Sequence, residues 1–154
     1  MTSTAISGAR ILSLGTALPE KVLTNEDLAE MVDTNGEWIV ERTGIHERRV
    51  GGSTSDLAAE AGKIAIERAG IDPATIDLLI LATTSPDRRV PASASTVQEL
   101  LGLQCGAMDL NAACSGFVYS LVAAHGFIEM GHQRVLVIGA ETLSRMTDYT
   151  DRTT

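Results

Sequence analysis

The feature that most constrains the fold is a series of short, largely apolar runs, each followed by a segment with helical spacing. One run covers Leu78 to Thr83, and two others cover residues 105–110 and 134–139. Continuous apolar runs of this length are typical of strands that helices cover on both faces. Strands that alternate with helices predict an α/β protein with a mostly parallel sheet between helices. In such sheets, ligands bind at the carboxyl ends of the strands.

The helices are marked by polar residues that can cap their first turn and by glycines that can end them. Thr24 is a candidate N-cap for a short helix, and Ser53 or Thr54 for a longer one. Gly44 and Gly70 follow helical segments and are expected to end them. The predicted helices cover residues 24–32, 36–42, 54–69, 93–101 and 115–130. The remaining predicted strands cover residues 9–16 and 45–50, and residues 1–8 are predicted to form a loose leader.

Cys114 lies between the strand predicted over 105–110 and the long helix that follows it. Backbone N–H groups that are free at the start of a helix, together with the helix dipole, favour the thiolate form of such a cysteine. The small residues Ala112, Ala113 and Gly116 leave space for a substrate next to the sulfur. Cys114 is therefore a candidate nucleophile. A packing role stays open, because most lone cysteines are buried small hydrophobic residues, and Cys105 is assigned to packing.

The composition argues against several classes of protein. A net charge of -8 disfavours a general nucleic-acid binder, which normally carries a basic face. A membrane span would need about 18 consecutive apolar residues, and the sequence has no such stretch. Two cysteines without a disulfide framework fit a reducing compartment, so a cytoplasmic protein is expected. No metal site is predicted.

The three histidines are not expected to activate Cys114. His125 lies in the predicted helix 115–130, and a rise near 1.5 Å per residue places it roughly 16 Å from Cys114. His46 falls in a charged predicted strand and His132 in the turn before the last strand. All three are expected to be surface residues, as is usual for histidine in such surroundings.

The segment from Ala112 to Phe117, with the sequence Ala-Ala-Cys-Ser-Gly-Phe, resembles the nucleophile motif of the thiolase superfamily. It resembles in particular the β-ketoacyl-acyl carrier protein synthase III family. Three other segments match that family in the same order and spacing, and they cover residues 35–45, 82–86 and 150–153. The resemblance implies a thiolase-like fold, in which two similar halves form one five-layered αβαβα body. Residues 1–154 would be the N-terminal half with the nucleophilic cysteine, and the second half would be a separate chain or missing sequence.

Members of the resembled family initiate fatty acid synthesis. Their cysteine takes an acyl group from acyl-coenzyme A and condenses it with malonyl-acyl carrier protein. The resemblance therefore implies an acyltransferase that works as a homodimer, has acyl-coenzyme A as a substrate and holds no permanently bound cofactor. The condensation also needs a histidine and an asparagine from the C-terminal half. The chain alone is thus expected to be incomplete as a condensing enzyme.

The resemblance also assigns residues to the coenzyme A site. Trp38 corresponds to the tryptophan that stacks on the adenine, Arg42 to the arginine near the phosphates, and Arg152 to the arginine on the other face of the adenine. Such an arrangement is a cation–π sandwich. A core role for Trp38 is the alternative, but its polar neighbours favour partial exposure.

The acyl pocket is assigned by resemblance to Thr84, to Leu143 and to Val90, which would reach across from the partner subunit. Well-known members that use short acyl chains have a bulkier aromatic residue at the position of Val90. Valine leaves more room, which leads to the hypothesis of a longer or branched acyl group. The alternative is that Val90 only packs beside Pro91 at the dimer interface.

Two other functions stay open. A relative with the same fold could transfer acyl groups to other nucleophiles in secondary metabolism. A non-catalytic remnant could have kept the fold for dimerisation or carrier binding and lost the chemistry. The surroundings of Cys114 and the pair Trp38 and Arg42 argue against the remnant, and the missing second half argues for it.

Overall fold

A computed structural model of the protein describes residues 8–153. These residues divide into two compact units, the first formed by residues 8–17 and 53–141 and the second by residues 18–52 and 142–153. In chain order the strands are β1 (Val22–Thr24), β2 (Glu47–Arg49), β3 (Leu78–Ala82), β4 (Gly106–Leu110) and β5 (Val135–Gly139). The α-helices are α1 (Asn25–Met31), α2 (Gly36–Thr43), α3 (Thr54–Ala69), α4 (Ser93–Leu100) and α5 (Gly116–Glu129). The leader predicted over residues 1–8 lies outside the described residues, apart from Gly8.

The first unit is built on a parallel sheet with the strand order β4-β3-β5. Ala82, the last residue of β3, is paired with Leu110 on β4 and Gly139 on β5. The three strands therefore end at the same level, and the segments that follow them leave from one edge of the sheet. This arrangement confirms the predicted α/β class with its parallel sheet.

Helices cover both faces of this sheet. Alternate residues of a strand point to opposite faces, so each strand contributes to the packing on both sides. On one face, Leu79 and Leu81 pack in a core with buried residues of α3 and α4. On the other face, Leu78 and Ile80 pack with Ala124 of α5. The central strand β3 is buried along its whole length, as the continuous apolar run predicts.

The prediction of a strand over residues 9–16 is wrong, since this segment joins no sheet. It runs along α3 instead. The hydroxyl of Ser13 donates to the carbonyl oxygen of Ala65 at 2.6 Å, and a side chain on Gly15 would collide with the backbone of Ala61. Contacts to a helix about 50 residues further along the chain fix this segment, and an alternating apolar pattern does not reveal contacts of that kind.

The second unit contains the helices α1 and α2 and a two-stranded antiparallel ribbon of β1 and β2. Thr24 caps α1 through a reciprocal pair of hydrogen bonds with Asp27, and Gly44 ends α2 in the left-handed conformation. Both ends were predicted. The strand predicted over 45–50 is shorter in the structure, and its partner β1 was not predicted.

Candidate active site

Cys114 lies in a single 3-10 turn, residues 113–115, that joins β4 to α5. Its side chain is exposed, as a nucleophile requires. Ala113 has a φ of 47°, in the left-handed region that residues other than glycine rarely occupy. The chain therefore turns sharply just before Cys114. The predicted position at the start of the long helix is confirmed.

Small residues allow the start of α5 to approach the sheet closely. A Cβ atom on Gly116 would lie 3.3 Å from the Cβ of Ala82, the last residue of β3. Ser120 and Ala124 continue this buried row along the helix. The first turn of α5, and Cys114 with it, is thus held at the carboxyl edge of the sheet.

Two carboxylates cap helices that surround this edge. Asp109, on the strand before Cys114, accepts backbone N–H groups from Ser93 at 2.9 Å and Ala94 at 2.7 Å, at the start of α4. Asp87 accepts those of Thr54 and Ser55, both at 2.9 Å, at the start of α3. Carboxylates stabilise helix N-termini through the free N–H groups and the dipole there. The contacts of Asp109 fix the strand before the nucleophile to α4, and those of Asp87 fix the loop after β3 to α3.

Thr84 and Glu141 lie at the same edge, after β3 and β5. The backbone N–H and the hydroxyl of Thr84 both donate to Oε1 of Glu141, at 2.8 Å and 3.1 Å. Ser85 donates in the same two ways to Oε2, at 3.1 Å and 2.5 Å. The segment after β3 is therefore fastened to the segment after β5.

Trp38, Arg42 and Arg152 come together in the second unit. The guanidinium carbon of Arg42 lies 5.9 Å from the centre of the Trp38 ring, and that of Arg152 lies 5.1 Å from it. The Trp38 side chain is 43% exposed, which disfavours the alternative of a core anchor. Asn35 caps α2 by accepting the backbone N–H of Trp38 at 2.9 Å and so fixes the start of the helix that carries the indole. An exposed aromatic ring with two cations can bind a planar, anionic ligand.

The other residues predicted for the acyl pocket differ in their surroundings. Val90 is 84% exposed in the loop between β3 and α4. Leu143 begins a 3-10 turn in the second unit and is also exposed. Thr84 and Cys114 share an edge of the first unit's sheet, so the structure brings these two predicted residues to the same side.

The histidines of α5 and its end interact locally. Nε2 of His125 lies 3.6 Å from Oε1 of Glu129, one turn further along the same helix. Nδ1 of His132 lies 3.1 Å from the carbonyl oxygen of Phe127. His125 thus interacts within α5, and His132 interacts with the last turns of that helix from the segment after it. Across residues 8–153, no cluster of histidine, cysteine or acidic side chains suits a metal ion, and no described helix is long and apolar enough to cross a membrane.

Sequence reasoning missed Glu141, Asp87 and Asp109 as organising residues. One signal was available for Asp109, because a carboxylate inside an otherwise apolar strand needs a partner. Asp87 and Glu141 lie in loops, where acidic residues are common. Their partners are 32 or more residues away in sequence, beyond the reach of local patterns.

The parallel sheet between helices, with a cysteine on a sharp turn at its carboxyl edge, is a thiolase-like α/β arrangement. A sequence profile of the family described as 3-oxoacyl-[acyl-carrier-protein] synthase III matches residues 108–154. The 3-oxoacyl-[acyl-carrier-protein] synthase III of Aquifex aeolicus superposes with a TM-score of 0.91 at 46% identity, over 96% of this chain and 49% of that one. The priming β-ketosynthase of the R1128 polyketide pathway superposes with a TM-score of 0.88 at 33% identity, over 93% of this chain and 44% of that one.

Curated relatives give the same result. The β-ketoacyl-[acyl-carrier-protein] synthase III of Erythrobacter litoralis is 55% identical over 95% of this chain and 47% of its own length. A synthase III of Halalkalibacterium halodurans is 51% identical over 97% of this chain and 46% of its own length. Over nearly its whole length the chain is similar to β-ketoacyl-[acyl-carrier-protein] synthase III proteins. It spans about half the length of the curated relatives it matches, a share that fits the N-terminal half predicted from the sequence.

Proposed function

We propose that this chain is the acyl-accepting half of a β-ketoacyl-acyl carrier protein synthase III. Cys114 is the nucleophile, and Trp38, Arg42 and Arg152 bind the coenzyme A part of the acyl donor. The observation that carries the proposal is the exposed ring of Trp38 with the guanidinium groups of Arg42 and Arg152 each within 6 Å of its centre. Such a clamp suits an adenine that carries phosphates, because the ring stacks on the base while the arginines attract the anionic groups.

The acyl-transfer step follows from the position of Cys114. Its thiolate attacks the thioester carbonyl carbon of acyl-coenzyme A, which forms the new carbon–sulfur bond and a tetrahedral oxyanion. Collapse of this oxyanion breaks the bond to the coenzyme A sulfur. Coenzyme A leaves as a thiolate and takes up a proton, and the acyl group stays on Cys114. The backbone N–H of Cys114 is suited to stabilise the oxyanion of this step.

The condensation needs residues outside this chain. The resemblance assigns a histidine and an asparagine of the C-terminal half to the decarboxylation of malonyl-acyl carrier protein. We therefore propose that the complete enzyme contains that half, as a separate chain or as further sequence, and that it acts in the cytoplasm as a homodimer. The exposure of Val90 supports the dimer, because an isolated valine in water gains from burial against a partner.

The proposal is tested by the intact mass of the purified protein, with and without acetyl-coenzyme A. We expect one acetyl group per chain in the wild type and none in Cys114→Ser, which keeps the size of the side chain but has a far weaker nucleophile. Glu99→Gln, on the exposed side of α4, is the matched control and should load like the wild type. A wild-type chain without an adduct, in the presence of every polypeptide that co-purifies with it, would overturn the proposal. The non-catalytic remnant would then be the better reading.

A second function is favoured by the likeness to the priming β-ketosynthase of a polyketide pathway. In this case the acyl group on Cys114 would pass to a different acceptor, as in secondary metabolism. The same loading step would occur, so the two functions differ only in the acceptor. Incubating the loaded, complete enzyme with malonyl-acyl carrier protein distinguishes them: release of a β-ketoacyl product supports the leading proposal, and an acyl-enzyme that persists supports the second.

A further inference from the structure

The carboxylate of Glu141 is fully occupied by donors from the segment after β3. Oε1 accepts the backbone N–H and the hydroxyl of Thr84, and Oε2 accepts those of Ser85, at 2.5–3.1 Å. The hydroxyl of Thr83 also donates to Oε2, at 3.5 Å. An ionised carboxylate has about four lone-pair positions for hydrogen bonds, and these donors fill them. Glu141 is therefore not free to act as a general base toward a substrate.

The same contacts give Glu141 a different task. Two of its donors are backbone N–H groups, which cannot rotate away, and hydrogen bonds to an ionised group are stronger than neutral ones. Because the hydroxyl of Thr84 is held by Oε1, the rotation of this β-branched side chain about χ1 is fixed. The position of its methyl group is then fixed as well.

We infer that Glu141 is a positioning residue: by holding the backbone and hydroxyl of Thr84, it sets the wall of the acyl site and hence the choice between acyl groups. The inference rests on the proposed function, in which Thr84 lines the acyl pocket near Cys114. Thr84 follows β3 by two residues, Glu141 follows β5 by two, and Cys114 follows β4 by four. The three strands end at one level, where Ala82 is paired with Gly139 and with Leu110. Glu141 thus reaches the acyl site through Thr84 and touches no substrate itself.

The test uses Glu141→Gln, which keeps the shape of the side chain but replaces one oxygen by an NH₂ group. This NH₂ group faces at least one backbone N–H. Because both groups are donors, that hydrogen bond is lost. The readout is the loading of Cys114 by a branched acyl-coenzyme A relative to acetyl-coenzyme A, followed by intact mass. A loss of folded protein lowers both rates equally and leaves their ratio unchanged. We expect the ratio to change by at least about fivefold, a small part of the 10–200-fold that one methylene is worth in an apolar pocket.

Further variants separate positioning from a general structural effect. Thr84→Val removes the hydroxyl and keeps the branched shape, so it should shift the ratio in the same direction, and the double variant should add little to either single change. Glu141→Asp keeps the charge and should restore part of the wild-type ratio. Glu99→Gln is the control and should leave it unchanged. If Glu141→Gln proves too unstable to purify, Thr84→Val alone gives the comparison.

The failure of this inference can be told from the failure of the proposed function. A wild type that takes up no acyl group overturns the proposed function, and the acyl-selecting role of Glu141 with it. The inference alone is overturned if the wild type loads and the ratio in Glu141→Gln is unchanged. If Glu141→Gln cannot be purified, an unchanged ratio in Thr84→Val overturns it. Hydrogen exchange at the Thr84 amide is a measurement that does not depend on activity. We expect this amide to exchange at least tenfold faster in Glu141→Gln than in the wild type. An unchanged rate would show that Glu141 does not hold this residue.

Discussion

The carboxylate of Asp109 accepts the backbone N–H of Ala94 at 2.7 Å, which joins the strand before the nucleophile to the first turn of α4. The residue before this helix, Ala92, has no side chain that could cap it, and α4 shows no local side-chain cap. A carboxylate from another element therefore takes the place of a cap. In this way, the position of the nucleophile strand and the stability of α4 depend on one side chain.

Asp109→Asn should lower the free energy of unfolding by about 1–3 kcal/mol, the usual effect of losing a buried partner for a polar group. The asparagine keeps one acceptor oxygen, but its NH₂ group faces the second N–H, of Ser93 or Ala94. Urea unfolding of the purified chain measures the change. Asp72→Asn is the control, because Asp72 caps a short 3-10 turn through its own neighbour Ala74 and asparagine caps about as well as aspartate. Equal stability of the Asp109→Asn variant and the wild type would contradict the prediction.

Trp38→Ala should weaken the binding of coenzyme A by roughly 5- to 150-fold, because stacking of a base on an aromatic side chain contributes about 1–3 kcal/mol. Arg152→Lys keeps the positive charge but loses the planar guanidinium over the ring, so a smaller loss is expected. Isothermal titration calorimetry of coenzyme A measures both. Glu30→Gln on α1 is the control and should bind like the wild type. Full affinity in Trp38→Ala would show that the indole does not contact the ligand.

Much of the fold could be predicted from the sequence where a local pattern carries the information. The cap at Thr24, the helix ends at Gly44 and Gly70, and the buried strand β3 all follow from residue types at fixed spacing. The strand over 9–16 was wrong because its segment lies on α3 through backbone and hydroxyl contacts that leave no periodic signal.

The candidate site divides in the same way. Cys114 could be found from its place between a strand and a helix, and its exposure agrees with that reading. The roles of Trp38, Arg42 and Arg152 came from resemblance, and Arg152 is more than 100 residues from Trp38, so no spacing rule joins them. Glu141 became visible only in the structure, because its partners lie on another strand end.

Ala113→Val should lower the free energy of unfolding by about 1–3 kcal/mol, the usual range for a residue held in a strained backbone region. The φ of 47° at Ala113 is tolerated by alanine at some cost and is much less accessible to a β-branched residue. Ala113→Gly should stay within about 1 kcal/mol of the wild type, since relief of strain offsets the greater freedom of glycine when unfolded. Ala112→Val is the control, because Ala112 has a φ of -143°. Urea unfolding measures all three, and an Ala113→Val variant as stable as the control would refute the expected strain.

The stability of the first unit should decrease in acid partly through Asp77. The backbone N–H of Arg134, and then that of Gln133, donate to this carboxylate and hold the pKa of Asp77 below its usual value. A lowered pKa in the folded state stabilises the fold above the unfolded pKa of about 3.9, and this contribution is lost as the pH falls through the folded pKa. Asp77→Asn keeps an oxygen that both N–H groups can reach and removes only the charge.

The difference in unfolding free energy between the wild type and Asp77→Asn should therefore be largest near neutral pH and shrink below about pH 4. Urea unfolding at a series of pH values measures this difference. It isolates Asp77 from Asp27, Asp148 and Asp151, whose pKa values are also lowered by hydrogen bonds from nearby threonine residues. A difference that stays constant from neutral to acid pH would exclude the charge of Asp77 as the cause.

The outer face of α5 should make the isolated chain prone to association. Val118 and Val122, one helical turn apart, are 58% and 66% exposed, and Tyr119 beside them is also exposed. A contiguous apolar surface of this kind marks an interaction site or a site of aggregation. Val118→Glu with Val122→Lys replaces it by an i,i+4 ion pair in the favourable order and leaves the net charge of -8 unchanged. Light scattering should then show less aggregation, and the binding of a hydrophobic dye should show that less apolar surface is exposed. The helical circular dichroism signal should be unchanged.

The same pair of substitutions relates this face to the proposed C-terminal half. If that half covers α5, the charged pair should weaken its binding while it improves the solubility of the isolated chain, because burying two charges without matched partners is unfavourable. Mixing the chain with a separately produced C-terminal half of the Erythrobacter litoralis relative and measuring complex formation by size-exclusion chromatography tests this. If the double variant assembles as well as the wild type, the C-terminal half does not pack on the apolar face of α5. It would then have to bind another surface of the first unit.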